Sequence, residues 1–202
     1  MAEPSRYHVS DKMAGVRSGV LVNKLSFKKQ SELDNAETIL LADAYDYFFK
    51  QLEEGQIEFG LSFLSAIHKY VFEPLYDWAG QVRRVNISKG QMLFAPVEFL
   101  DSVLEDFSRF LTTELSRLPK NKLETSRKLA AIHNEFNVIH PFREGNGRTI
   151  RLFLDLLAAS YGYNPIDWSC ETKAVYFSAC LAGVNGDNKP LVKIISRGLS
   201  KT

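Results

Sequence analysis

The chain has 202 residues, 45% of them hydrophobic, and a formal net charge of +1 from 25 basic and 24 acidic side chains. That length suits one domain, or one with a small appendage, and buries a substantial core without disulfide staples. The near-neutral balance removes the broad electrostatic case for nucleic acid or an anionic membrane as partner, and no apolar run is long enough to span a bilayer.

Cys170 and Cys180 are the two cysteines; they make neither a disulfide framework nor a metal-binding spacing. The N-terminus is polar and mixed in charge, without the apolar stretch of a signal peptide, so a reduced cytosol is the expected compartment. Asn86-Ile87-Ser88 matches a glycosylation acceptor, which without a secretion signal reads as chance.

In chain order, residues 1–19 place Pro4, Gly15 and Gly19 among polar residues with little periodicity, and read as a loosely packed N-terminal arm. Residues 20–202 form the main domain. Leu33, Ala36, Leu40, Ala44 and Tyr47 follow a helical period, with Ser31 as N-cap and Gly55 near the stop. Leu61, Leu64, Ile67, His68 and Val71 mark a second helix ending before Pro74. Phe99, Val103, Phe107, Phe110 and Leu111 mark a third, between Pro96 and Pro119. Leu129, Ile132, His133 and Phe136 mark a fourth, running towards His140. Arg148–Tyr161 has an apolar face through Ile150, Phe153, Leu154 and Leu157, with Gly162 as its cap. Two more helices are expected near Thr172–Ala182 and Lys189–Leu199. Between the second and third, β-prone residues flank a Gly-containing turn over Val82–Ala95, which predicts a β-hairpin. The expected class is all-α with one hairpin.

The chemistry concentrates around His140-Pro141-Phe142-Arg143-Glu144-Gly145-Asn146-Gly147-Arg148. Paired glycines let the backbone take positive φ and approach a ligand, and consecutive N–H groups in such a turn form an anion-binding nest. The following helix N-terminus adds N–H groups and a positive dipole end. Arg148 and Arg151, three apart, can face one side of that helix with forks suited to phosphate. No Gly-Lys-Ser/Thr ending is present, so this is a polyphosphate site without a Walker sequence. Glu144 supplies a hard oxygen of the kind Mg²⁺ prefers, and His140 can take a proton near neutral pH. Each feature alone has an ordinary reading: a turn, solvated arginines, a capping or core histidine. Their conjunction points to a site.

Residues 140–151 match, at every specified position, the signature His-x-Phe-x-Asp/Glu-Gly-Asn-Gly-Arg-x-x-Arg, and the chain thereby resembles the Fic family. Leu75-Tyr76-Asp77-Trp78-Ala79-Gly80-Gln81-Val82-Arg83 is similar to the family's Trp-Ala-Gly segment. Ile87-Ser88-Lys89-Gly90 with Phe94 is similar to its flap, and Gly162-Tyr163 with Trp168 suits the region after the motif helix. The likeness covers roughly residues 60–170, and the arm with Leu21–Lys24 resembles the compact bacterial toxin-like branch.

The resemblance implies a Fic-type helical domain with a β-hairpin flap, acting as a protein adenylyltransferase that moves AMP from ATP to a Ser, Thr or Tyr hydroxyl. His140 would be the base, and Glu144 would hold Mg²⁺ on the α- and β-phosphates. Asn146 would contact the α-phosphate, and Gly145 and Gly147 would present backbone N–H groups to developing charge. Arg148 would bind the β-phosphate region and Arg151 the γ-phosphate, with Phe142 structural. Ile87, Ser88, Lys89 and Gly90 would align a target strand along the flap edge. Gly147 favours AMP transfer, because the related Doc branch has Lys there and moves the γ-phosphoryl group. Transfer of UMP, phosphocholine or phosphate stays open, as does a catalytically silent scaffold, which has no chemical need for His140, Glu144, Asn146 and Arg148 together. Trp168 and Tyr176 are candidates to flank a base, with packing as the alternative.

His68 and His133 read as core histidines, His8 as a residue of the arm, and Arg83-Arg84 as a solvated strand face. Family members are commonly silenced by a helix bearing Ser/Thr-x-x-x-Glu, whose Glu pairs with the second motif arginine, here Arg151. No Ser or Thr in this chain has Glu four residues later: Ser31 has Asn35, Thr113 has Arg117 and Ser169 has Lys173. A separate antitoxin is therefore expected to supply the helix, although Glu37 and Glu171 stand as internal candidates lacking the motif. A type II topoisomerase subunit is the first expectation for the target.

Overall fold

The computed structural model describes residues 8–9, 15–17, 19–89 and 92–202. The class is all-α. The helices are α1 (Gln30–Glu53), α2 (Leu61–Phe72), α3 (Leu100–Leu115), α4 (Lys122–Ile139), α5 (Asn146–Ser160), α6 (Lys173–Val184) and α7 (Lys189–Gly198). Among the described residues, short strands accompany them: β1 (His8–Val9), β2 (Val16–Arg17), β3 (Val20–Leu21), β4 (Ile87–Lys89) and β5 (Met92–Leu93). None of the described helices is long and apolar enough to cross a membrane.

The core is organised around α5. Ile150, Leu152, Phe153, Leu154, Leu156, Leu157 and Ala158 are all buried, so the helix is apolar on nearly every side and sits inside the bundle rather than on it. It packs against α1, α2 and α4. Its one buried carboxylate, Asp155, accepts from the Tyr45 hydroxyl, the Ile166 N–H and the Trp168 indole N–H, at 2.5, 3.0 and 2.9 Å. Those three donors tie α1 and the segment after α5 to the central helix. The N-terminus of α5, which the glycine-rich loop feeds, thus belongs to a helix buried on nearly every side.

Local signals place most helix ends. Asn121 caps α4, its side chain accepting from the Glu124 N–H at 3.0 Å, which satisfies a donor the first turn leaves open. Gly55 and Gly162 follow α1 and α5 with φ of +69° and +76°. The expected Ser31 cap is displaced: α1 begins at Gln30, Ser31 lies in its first turn, and the Glu32 carboxylate accepts from the Lys29 N–H at 3.4 Å. A carboxylate reaching back from the first turn replaces a hydroxyl cap.

The hairpin expected over residues 82–95 narrows to β4 and β5, paired antiparallel with Ser88 opposite Leu93 and Lys89 opposite Met92. Its turn, Gly90 and Gln91, lies outside the described residues. The arm is not without structure: β2 pairs with β3, and β1 pairs antiparallel with β4, His8 opposite Ser88 and Val9 opposite Ile87. The strand order β1-β4-β5 leaves β4 in the middle.

Candidate active site

The loop between α4 and α5 is held from within. The chain leaves α4 through His140, left-handed at φ 51°, and re-enters helix after Gly145 at φ 81°. Asn146 braces the turn: its Oδ1 accepts from the Phe142 N–H at 2.9 Å and its Nδ2 donates to the Phe142 carbonyl at 2.8 Å. The Thr149 hydroxyl donates to the Gly145 carbonyl at 3.1 Å, and the Gly145 N–H donates to Glu144 Oε1 at 3.0 Å. Gly145 admits no side chain, since a Cβ there would stand 2.3 Å from the Phe72 ring. Phe142 is buried and packs on Phe136, as its structural reading requires.

His140 Nδ1 lies 3.0 Å from the Asn137 carbonyl. A carbonyl only accepts, so Nδ1 carries the proton and Nε2 is the lone-pair nitrogen. The ring is 4% exposed and stacks on Phe94 of the hairpin at a centroid distance of 3.7 Å. Burial pushes its pKa down to about 3; the hydrogen bond to Asn137 opposes this, and the Lys89 and Arg83 charges add to it.

Two residues outside the motif fix this loop in place. His68 is fully buried, accepts the Gly80 N–H at Nδ1 (2.8 Å) and therefore donates from Nε2 to the Glu144 carbonyl (2.9 Å). Its ring stacks on Phe142 at 3.9 Å, and burial holds its pKa near 4. A core histidine by sequence, it links the Trp78-Ala79-Gly80 segment to the loop. Arg83 corrects the expected solvated strand face. It is 4% exposed, and its guanidinium donates to the carbonyls of His140 (2.8 Å), Val85 (2.7 Å), Ala95 (2.5 Å) and Ile139 (3.2 Å). It thereby clamps both legs of the hairpin to the C-terminal end of α4, where carbonyls lack helical partners. Arg84, by contrast, is exposed. The signal available in sequence was that Arg83 closes the segment Leu75–Arg83, which resembles the Trp-Ala-Gly stretch, whereas Arg84 lies outside it.

A cavity of about 90 Å³ is lined by Lys89, Phe94, His140, Asn146, Gly147 and Arg151, among others. Arg151 lies over the Tyr176 ring, 5.9 Å from its centroid, and the Tyr176 hydroxyl is 2.6 Å from His133 Nε2. The aromatic pair Trp168 and Tyr176 packs edge to face at 5.9 Å, so Tyr176 is both packing and cavity wall. Cys180 reaches the same cavity as a free thiol. A larger cavity of about 450 Å³ is lined by Leu75, Tyr76, Trp78 and Arg143 among others, and contains none of His140, Asn146 or Arg151. Its size does not make it the reactive site.

Arg148 has different surroundings from Arg151. It forms an ion pair with buried Glu37 of α1, stands 3.5 Å from Glu144 Oε1, and covers the Phe72 ring at 4.9 Å. Glu171 pairs with Arg197. Neither internal candidate glutamate is therefore on Arg151. No group of three or more metal-ligating side chains exists among the described residues, but Glu144 offers one hard carboxylate beside an anion-binding loop. That donor set fits a Mg²⁺ whose other ligands are phosphate oxygens and water, and does not form an all-protein cage.

On the flap, Ile87 is 4% exposed and packs with Met92, Phe94, Leu181 and Val184, so its side chain faces the protein. Ser88 and Lys89 are half-buried, with Lys89 Nζ 5.7 Å from the Phe177 ring centroid. Gly90 is outside the described residues.

Residues 58–158 match the model of the Fic/DOC family. The chain is 30% identical to the probable protein adenylyltransferase Fic of Escherichia coli over 184 residues, covering 90% of this chain and 88% of that protein. It is 31% identical over 196 residues to protein adenylyltransferase VbhT of Bartonella schoenbuchensis, covering 95% of this chain and 40% of that longer protein. Its fold is similar to the AMPPNP-bound BepC protein of Bartonella tribocorum (TM-score 0.75, 21% identity, 93% of this chain and 97% of that one). It is also similar to an ADP-bound Fic domain from Bartonella quintana (TM-score 0.77, 23% identity, 92% and 93%). With the motif, the loop geometry and these likenesses together, the chain belongs to the Fic/DOC family.

Proposed function

We propose that this chain is a protein adenylyltransferase, transferring AMP from ATP to a hydroxyl of a target protein. The observation that carries the reading is the joint placement of His140 and Arg151 on one cavity at the N-terminus of α5, with the imidazole tautomer set by Asn137. The relatives named protein adenylyltransferases support it.

The α-phosphate lies at the N–H groups of Asn146 and Gly147, which line the cavity and where the helix terminus favours anions. The target hydroxyl oxygen forms a bond to the α-phosphorus, the bond to pyrophosphate breaks, and the hydroxyl proton passes to His140 Nε2. Backbone donors aimed at the developing charge need no reorganisation during the step. Arg151 holds the far end of the triphosphate. Mg²⁺ on Glu144, when bound, neutralises phosphate charge. Gly147 leaves the loop uncrowded, which supports AMP transfer over transfer of the γ-phosphoryl group.

The cavity at His140 holds about 90 Å³, less than the roughly 300–1,000 Å³ of small-molecule sites, and a second cavity of about 470 Å³ that shares Arg151 and Tyr176 with it offers room for the rest of the nucleotide. The finer reading is a toxin, held in check by a separate protein whose Ser/Thr-x-x-x-Glu helix reaches Arg151, with a type II topoisomerase subunit as target. Support for restraint in trans is that Glu37 and Glu171 are both committed elsewhere.

The test is transfer from ATP labelled at the α-phosphate, in the wild type and His140→Ala. Label is expected on a protein hydroxyl, with pyrophosphate released, and loss of the base is expected to slow transfer about 10²–10⁴-fold while ATP still binds. Label arriving only from the γ-phosphate, or an unimpaired His140→Ala, defeats the reading.

A further inference from the structure

Helix α4 turns His133, Phe136, Asn137 and His140 to the small cavity at the N-terminus of α5, the spacing of one helix face. Asn137 faces that cavity with a polar group whose role the loop does not explain. Its main-chain carbonyl accepts from His140 Nδ1 at 3.0 Å. Its side-chain Nδ2 is buried and has no hydrogen-bond partner. His133 and Asn134 also carry an orphaned atom, but each is anchored through another. His133 Nε2 lies 2.6 Å from the Tyr176 hydroxyl, and Asn134 Nδ2 donates to Asn188 Oδ1 at 2.6 Å.

A buried amide donor without an acceptor destabilises the fold, and Asn is a weaker helix former than Ala. Both penalties fall on one residue at the wall of the reaction cavity, where a local rule is broken for the sake of what the cavity receives. The chemistry of the walls names the acceptor. Among the described residues no Asp or Glu lines this cavity, whereas Lys89, Arg151 and the first residues of α5 do. Two cations and a helix N-terminus favour an anion. Phosphate oxygens only accept and Nδ2 only donates, so the two are complementary.

We propose that the Asn137 side chain is a nucleotide-binding residue whose Nδ2 donates to a phosphate oxygen of ATP, while its own carbonyl orients the imidazole. This rests on the reading of the cavity as the phosphate site of the nucleotide. One residue of α4 thereby ties the tautomer of the base and the placement of the phosphate chain to the same helical turn.

The test is the affinity of the full chain for AMPPNP and for inorganic tripolyphosphate, by titration calorimetry, in wild type, Asn137→Ala, Asn137→Asp and Arg151→Ala. Side-chain substitution leaves the Asn137 carbonyl on His140 Nδ1. A hydrogen bond to a charged acceptor is typically worth about 10–100-fold in affinity. Asn137→Ala is expected to lose both ligands within that range, at a melting temperature equal to or above that of wild type. Asn137→Asp sets an anion of the same shape against phosphate and is expected to bind more weakly than Asn137→Ala. Unchanged AMPPNP affinity in a folded Asn137→Ala overturns the proposal, whether or not the KM for the target rises. Loss of AMPPNP with tripolyphosphate unaffected also overturns it, since the donor would then serve the nucleoside. If Asn137→Ala is unfolded or melts well below wild type, Asn137→Asp decides, with wild-type affinity the overturning result. A wild type that binds neither ligand, or an Arg151→Ala that binds both like wild type, is instead failure of the phosphate reading of the cavity.

Discussion

Phe94 lies face to face on the His140 imidazole, 3.7 Å between ring centroids and 15° from parallel. The hairpin therefore covers the imidazole, with the Phe94 ring shielding it from water. That burial is the leading reason the His140 pKa falls to about 3, which leaves the imidazole in its proton-accepting form throughout the neutral range. The expected kcat/KM for transfer is flat between about pH 6 and 8, since that parameter reports the free enzyme. Phe94→Ala should restore an ascending limb near the ordinary histidine value of about 6.5. A limb near 6.5 in the wild type would mean that the free enzyme holds His140 in water.

The two glycines of the loop should behave oppositely. Gly145→Ala forces a left-handed residue and a Cβ 2.3 Å from Phe72. Strain and overpacking together should cost about 2–4 kcal/mol and abolish ATP binding. At Gly147 a Cβ would stand 3.6 Å from Arg151 Nη1, an ordinary contact, within α5. Gly147→Ala should be neutral or stabilising by up to about 1 kcal/mol, whereas Gly147→Lys should set an ammonium beside Arg151 and impair AMP transfer. Urea denaturation and ATP titration separate the cases; equal loss of stability in both Ala variants would contradict the geometry.

Both edges of β4 are occupied, one by β5 and the other by β1 of the arm. If a target strand adds to the flap, β1 competes for the edge of β4 that lies opposite β5. Deleting residues 1–10 should raise kcat/KM for the target several-fold and leave ATP affinity unchanged. Ser88→Pro, which removes a main-chain donor from the central strand, should do the reverse to target modification with little effect on ATP. A deletion variant that binds ATP but modifies the target less would make the arm part of the docking platform.

Three buried histidines set an acid limit. His68, His133 and His140 have pKa values lowered to about 4, 4 and 3, with burial the largest cause in each. Between those values and about 6.5 the unfolded chain binds protons that the folded chain refuses, so stability is full above that window and is lost as pH falls through it. Asp155 works the other way, because burial raises its pKa to about 6; below that the folded state keeps a proton the unfolded chain releases, which offsets one histidine. At about 1.4 kcal/mol per pH unit for each net proton, unfolding free energy should drop by about 2–3 kcal/mol per unit near pH 5. Denaturant curves at pH 7 and 5 check this, and equal midpoints would show that the histidines titrate in the folded protein.

The sequence by itself determined the helical class, the hairpin, the loop and the chemical types gathered in it. Those features are written locally: a 3.6-residue apolar period, Pro74 and Pro119 as stops, Gly145 where only glycine fits, and His140 through Arg151 within a dozen positions. Even His68 and His133 were legible as core histidines, because each lies on an apolar helix face. Tertiary structure alone decided what these residues touch. Arg83 and Arg84 are identical in type and adjacent, yet one clamps four carbonyls and the other meets solvent. Glu37 looked like a possible inhibitory glutamate until packing set it against Arg148, across 111 positions. The arm showed little periodicity because strands of two residues are too short to carry one, and β1 pairs with β4, which is distant in sequence. A buried charge or an open strand edge must find a partner, but which partner is settled by the packing of helices distant in sequence, and no local pattern encodes it.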